Sequence, residues 1–141
     1  SEIFNISIYR HLQKCLYKWL CPRLSTNNNK TQNQTIMFNE QIIQQVWDKA
    51  TMIKGYNPNL WRQDFAGAWI RRDAYGTMMN YGWEIDHLCP TSKGGSDDIK
   101  NLNALHWKNN RRKGDDYPEF YTSISSVENN NTDVLQSWIV K

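Results

Sequence analysis

Between Trp83 and Gly114 the chain fixes its own local structure more tightly than anywhere else. Trp83-Glu84-Ile85-Asp86-His87 is a strand-like run, and Pro90 ends it because proline cannot donate to a sheet ladder. Gly94-Gly95 then permits positive φ and marks a tight turn. Ile99-Lys100-Asn101-Leu102 reads as a second strand or strand-like approach. Leu105 to Lys113 reads as a helix closed by Gly114. Strand, loop, strand, helix within about thirty residues is an α+β arrangement.

Chemistry-bearing side chains concentrate in the same stretch. Neighbouring strand residues face opposite ways, so Asp86 can hold a cation while His87 reaches around a substrate where the strand ends. A neutral imidazole can take a proton from water at physiological pH. An Asn at position 101 can bridge backbone groups across the long loop through its amide, which sets the distance from Asp86 to the helix. His106 and Asn110 are four apart and, in a helix, share a face on which two side chains can hold one metal ion. Arg111, Arg112 and Lys113 follow as a cationic last turn, which complements the helix dipole and also suits phosphate.

Taken singly, each of these motifs has a bland reading: a strand-end Asp-His, an exposed loop Asn, a solvated basic face. Their order along the chain does not. Asp-His on a strand, a Gly-rich loop, Asn, then His-x-x-x-Asn with basic residues resembles the HNH endonuclease family, over about residues 82–114 and more loosely back to Trp61. The resemblance implies a small ββα-metal core with flanking helices. It assigns the general base to His87, loop orientation to Asn101 and catalytic cation binding to Asp86 and Asn110. Some members carry a further metal-binding His four residues before the last ligand, where His106 stands. Asn109 is adjacent, but helical register with His106 favours Asn110. The cofactor implied is one divalent cation, Mg²⁺ or Mn²⁺ from the oxygen ligands, with Ni²⁺ or Zn²⁺ admitted if His106 takes part. Arg111, Arg112, Lys113, Lys108 and Lys93 are the expected nucleic-acid contacts, and double-stranded DNA the expected substrate.

The chain departs from the family at its structural zinc. Many members hold one with two Cys-x-x-Cys pairs, whereas Arg72-Asp73-Ala74-Tyr75-Gly76 and His106-Trp107-Lys108-Asn109 contain no Cys. Cys15, Cys21 and Cys89 are too few and too scattered for a four-ligand site, so no structural zinc is expected. Aromatic packing is expected to replace it, through Trp61, Phe65, Trp69, Tyr75, Tyr81, Trp83, Trp107, Tyr117 and Phe120.

At 141 residues and a formal net charge of +3 the chain is no polycation, so any field on a polyanion must be local to the motif. The odd cysteine count without a framework suits a reducing, intracellular compartment, cytoplasmic or of phage or mobile-element origin. No apolar run approaches the ~18 residues of a membrane span, and a signal peptide's apolar core is not seen.

Three segments are expected along the chain. Residues 1–36 are read as a helix from Ile8 onward, available to a protein partner through residues 3–21, followed by a polar linker at 25–35. Residues 37–125 are read as the nuclease domain, opened by a helix over 39–54 capped by Asn39, with a short helix after Pro118. Residues 126–141 are read as a C-terminal helix from Thr132 to Val140. The alternatives kept open are a nucleic-acid-binding module without catalysis and a Trp-rich protein-interaction domain. Oligomeric state is left unassigned.

Overall fold

The computed structural model describes residues 37–141 and the backbone of residues 3–5 and 11–12. Its element order is β1 (Ile3–Asn5), β2 (His11–Leu12), α1 (Glu40–Lys49), β3 (Thr51–Met52), β4 (Trp61–Gln63), β5 (Trp69–Arg71), β6 (Trp83–His87), β7 (Leu102–His106), α2 (Trp107–Lys113), β8 (Glu119–Val127) and β9 (Asn130–Val140). The class is mixed α+β. Among the described residues three antiparallel sheets form, ordered β2-β1-β9-β8, β3-β4-β5 and β6-β7.

Asn39 caps α1 as the sequence indicates, its side-chain oxygen accepting from Ile42 N at 2.9 Å. The helix stops at Lys49 rather than 54, because Ala50 turns extended and hands the chain to β3. Ile43, Val46 and Trp47 are buried against Ile70, Trp83, Leu102 and Ala104. This cluster seats α1 on the β6–β7 hairpin, and Lys49 Nζ ties the two together by donating to the carbonyls of Ile99 and Leu102. A second cluster, Ala66, Leu88, Cys89, Phe120, Trp138 and Val140, packs the loop after β6 on the C-terminal sheet. Trp47, Trp83 and Trp138 are wholly buried, and Trp69 and Phe120 nearly so, while Trp61, Phe65, Tyr75, Tyr81, Trp107 and Tyr117 are partly buried.

Two expected helices are sheet. The C-terminal segment is β9, paired along its length with β8, which itself replaces the short helix expected after Pro118. Phe120, Thr122 and Ile124 on β8, and Gln136, Trp138 and Val140 on β9, are buried at every second residue. That is the strand period, and Thr, Ile, Tyr and Trp favour it. The Asn run at 129–131 lies at the hairpin turn, where Glu128 takes φ 54°. Because β8 spans Glu119–Val127, the expected boundary at 125/126 falls inside a strand.

At the other end, Ile3–Asn5 pair with Trp138–Val140 and His11–Leu12 pair back on Ile3–Phe4. The helix expected from Ile8 is therefore strand at residues 11–12. The rest of the partner-docking segment and the polar linker at 25–35 lie outside the described residues. Cys89 is buried. No helix among the described residues is long and apolar enough to cross a membrane.

Candidate active site

β6 and β7 form a two-stranded hairpin with Trp83 opposite His106 and His87 opposite Leu102. Residues 88–101 bridge its ends, and α2 follows β7 directly. The bridging loop is pinned from within by Asn101, which is fully buried. Its Oδ1 accepts from Cys89 N at 2.8 Å, and its Nδ2 donates to the carbonyls of Cys89 and Ser96 at 3.0 and 2.8 Å. Gly95 makes the close approach this requires: a Cβ there would stand 1.7 Å from the Cys89 carbonyl oxygen. Gly94 supplies the left-handed turn, at φ 87°.

The loop carries Asp97 to His87, with Oδ1 2.7 Å from His87 Nε2. An ionised carboxylate only accepts, so Nε2–H donates and Nδ1 is left as the acceptor nitrogen of the neutral ring. Phe38 packs 5.9 Å from the imidazole centroid. Asp86, the preceding residue, is buried. Its Oδ1 accepts from Lys113 Nζ at 3.1 Å, and its Oδ2 has no hydrogen-bond partner. Burial pushes the Asp86 carboxyl up to about 6, against the opposing pull of Lys113.

Asp86, His87 and Asn110 line one cavity of about 180 Å³, with Asp115 at its rim. Asn110 Nδ2 donates to Glu84 Oε2 at 2.7 Å. Glu84 was not singled out from the sequence, yet it was legible there: two residues before Asp86 it shares a strand face with it. Asp97, ten residues from His87, could be read only as one more loop acid.

Two expected placements fail. α2 begins at Trp107, so His106 is the last residue of β7 and the helix N-cap. The shared helical face with Asn110 does not exist. His106 is buried with both ring nitrogens engaged, Nε2 with the Asn80 carbonyl at 2.9 Å and Nδ1 accepting from Lys108 N at 3.2 Å. Burial lowers its pKa and keeps the ring neutral. Lys113, expected on phosphates, is 1% exposed and also donates to the His87 carbonyl at 2.9 Å. It braces the Asp-His pair from inside. Lys108, Arg111 and Arg112 are exposed, and so is Lys93, whose Nζ donates to the Tyr117 carbonyl at 3.2 Å.

Asn109 does not face the cavity. It is fully buried, and its Nδ2 donates to Asp64 Oδ2 at 3.0 Å and to the Ile124 carbonyl at 2.9 Å. Asp64 Oδ2 also accepts from His106 N at 3.0 Å. A hydrogen-bonded Asp-Asn pair thus ties the start of α2 to β8.

Among the described residues no group of three or more His, Cys, Asp or Glu side chains could hold a metal ion. A cation with few protein ligands nevertheless fits: the unpartnered Asp86 oxygen and the Asn110 amide are hard oxygen donors in one cavity, and Mg²⁺ typically keeps most of its waters. No curated protein and no solved structure matches the chain. Residues 72–116, which contain the whole ββα unit, match the family model described as HNH endonuclease.

Proposed function

We propose that the protein is a divalent-cation-dependent endonuclease that hydrolyses phosphodiester bonds in DNA. The observation that carries this reading is one cavity holding an imidazole oriented by a carboxylate, His87 with Asp97, beside a buried carboxylate oxygen lacking a partner on Asp86. In the reaction His87 Nδ1 takes a proton from water, the resulting hydroxide attacks phosphorus, and the 3′-oxygen leaves and is protonated from solvent. Asp86 and Asn110 would hold the cation, which supplies Lewis-acid stabilisation of the phosphate charge when bound. Asn101 and Lys113 keep His87 and Asp86 in register. Arg111, Arg112, Lys108 and Lys93 offer cations to the phosphate backbone and position the strand. Burial of four of the seven tryptophans, Trp47, Trp69, Trp83 and Trp138, weighs against a Trp-rich interaction surface.

Supercoiled plasmid incubated with Mg²⁺, Mn²⁺, Ni²⁺ or Zn²⁺ tests the proposal, with nicked, linear or fragmented product expected. Intact plasmid with every cation, from a folded protein, would refute it.

The cation set has its own test. Asp86→Ala and Asn110→Ala should weaken Mn²⁺ binding about tenfold or more in calorimetric titration. Proton and cation compete for the Asp86 carboxylate, whose pKa stands at about 6. Wild-type affinity should therefore be level above pH 7 and fall roughly tenfold per pH unit below about 6. An affinity unchanged between pH 5 and 7.5 would exclude Asp86 as a ligand. Strong chelation should abolish cleavage while leaving the melting temperature nearly unmoved, since an open site with two protein ligands adds little to folding. A large drop on chelation, seen in melts of the sample assayed for cleavage, would reveal a structural metal.

A further inference from the structure

A second cavity, about 390 Å³, opens at the start of α2, where Trp107 and Lys108 line it. Its size lies within the range of small-ligand sites. Trp107 and His106 form one wall, and polar residues of the β8–β9 hairpin, Asn130, Thr132 and Asp133, form another. The indole is held in place: Nε1 donates to the Met79 carbonyl at 2.8 Å, and the ring stacks on His106 with centroids 5.9 Å apart and an interplanar angle of 26°. Two exposed cations, Lys108 and Arg111, lie 5.5 and 5.2 Å from its centroid.

Trp107 is three residues before Asn110 and four before Arg111, so the three share one face of α2. At 1.5 Å rise per residue, Trp107 lies about one helical turn from Asn110, within a nucleotide's reach. A strand whose scissile phosphate sits at Asn110 must cross the ridge that Trp107 and Arg111 make. Beyond that ridge the cavity presents an aromatic wall and neutral polar groups, with the Asp133 carboxylate disfavouring a phosphate. A nucleobase matches that lining: it stacks on aromatic rings and hydrogen-bonds along its edge.

We infer that this cavity is a base-binding subsite for the nucleotide next to the scissile phosphate. The base takes the Trp107 face, and Arg111 and Lys108 pass from the ring to the flanking phosphates. Only an unpaired base can enter, so the substrate at this position is single-stranded, frayed or flipped. The inference rests on the endonuclease reading and deepens it.

An abasic scan tests it. An oligonucleotide with phosphorothioate at every linkage but one carries an abasic residue moved along it one position at a time. Cleavage is read with Mn²⁺ and binding by anisotropy in EDTA. In wild type, one position beside the cleavable linkage should lose about 5- to 150-fold in binding and in kcat/KM, the effect of one lost base–aromatic stack. Trp107→Ala should lose the same factor on intact oligonucleotide and show a flat scan, while Trp107→Phe retains most of the effect and controls for folding. A flat wild-type binding scan, or a dip that survives in Trp107→Ala, would overturn the subsite. Absence of cleavage at every position with every cation would instead overturn the endonuclease reading.

Discussion

His87→Ala is expected to fold and bind DNA normally yet cleave it roughly 10²–10⁴-fold more slowly, the range for a positioned general base. Folding should survive because the ring is partly exposed, at 17% of its side-chain area, and its one hydrogen bond is to Asp97, itself half exposed. The deeper contacts at this position belong to the main chain, whose carbonyl accepts from Lys113, and a substitution to Ala leaves them in place. Asp97→Asn should fall between wild type and His87→Ala. The Asn amide oxygen can still accept from Nε2–H, but it brings no charge to stabilise the imidazolium that forms as the proton is taken. Initial rates on plasmid at saturating Mn²⁺, with circular dichroism on the same preparations, decide the matter. Near-normal cleavage by folded His87→Ala would end its assignment as the base.

The residues behind that expectation were legible in the sequence because their signals are local. Asp86 and His87 are adjacent, Gly94-Gly95 can only be a turn, and Gly114 stops a helix. Asn101 could be given its bridging role from amide chemistry alone, and the structure places its side chain on Cys89 and Ser96. The misreadings share a cause as well. Val134, Leu135, Trp138 and Ile139 fit helical spacing, and nine residues cannot distinguish a short helix from a strand. What decides is β8, a partner strand that supplies the hydrogen bonds and whose burial alternates with period two. The helix starts at Trp107, two residues after the expected Leu105, and a helix start is the least certain feature of any helix, so His106 falls just outside it. That small slip removed it from the cation set, because the argument for it rested wholly on register. Asp64 carried no local signal at all: its partners His106 and Asn109 lie 42 and 45 residues further along the chain.

Asn109→Ala should cost about 3–5 kcal/mol of folding stability, the scale for removing one partner from a buried charged hydrogen-bond network. Four hydrogen bonds converge on this one side chain. Its Nδ2 serves Asp64 and the Ile124 carbonyl, and its Oδ1 accepts from Ser123 N at 2.9 Å and Ile124 N at 2.7 Å, at the register shift in β8. Asp64 is as heavily used. Oδ1 accepts from Ala66 N at 3.0 Å and Ala68 N at 2.9 Å in the β4–β5 turn, and Oδ2 from His106 N and Asn109 Nδ2. Burial raises its carboxyl to about 6 despite these donors, so near neutral pH it is an ionised group inside the protein held only by them. Together the pair joins three elements distant in sequence: the β4–β5 turn, the β7–α2 junction and β8. Against a typical domain stability of ~5–15 kcal/mol the loss is large. Asp64→Ala should cost a similar amount, and the double variant less than the sum by about 0.5–3 kcal/mol, because each single change strands the other's partners. Urea unfolding of the four proteins, with and without chelator, measures this coupling. Additive losses would show that the two side chains act separately. A melt of Asn109→Ala that matches wild type would mean the network is not what holds α2 against the C-terminal sheet.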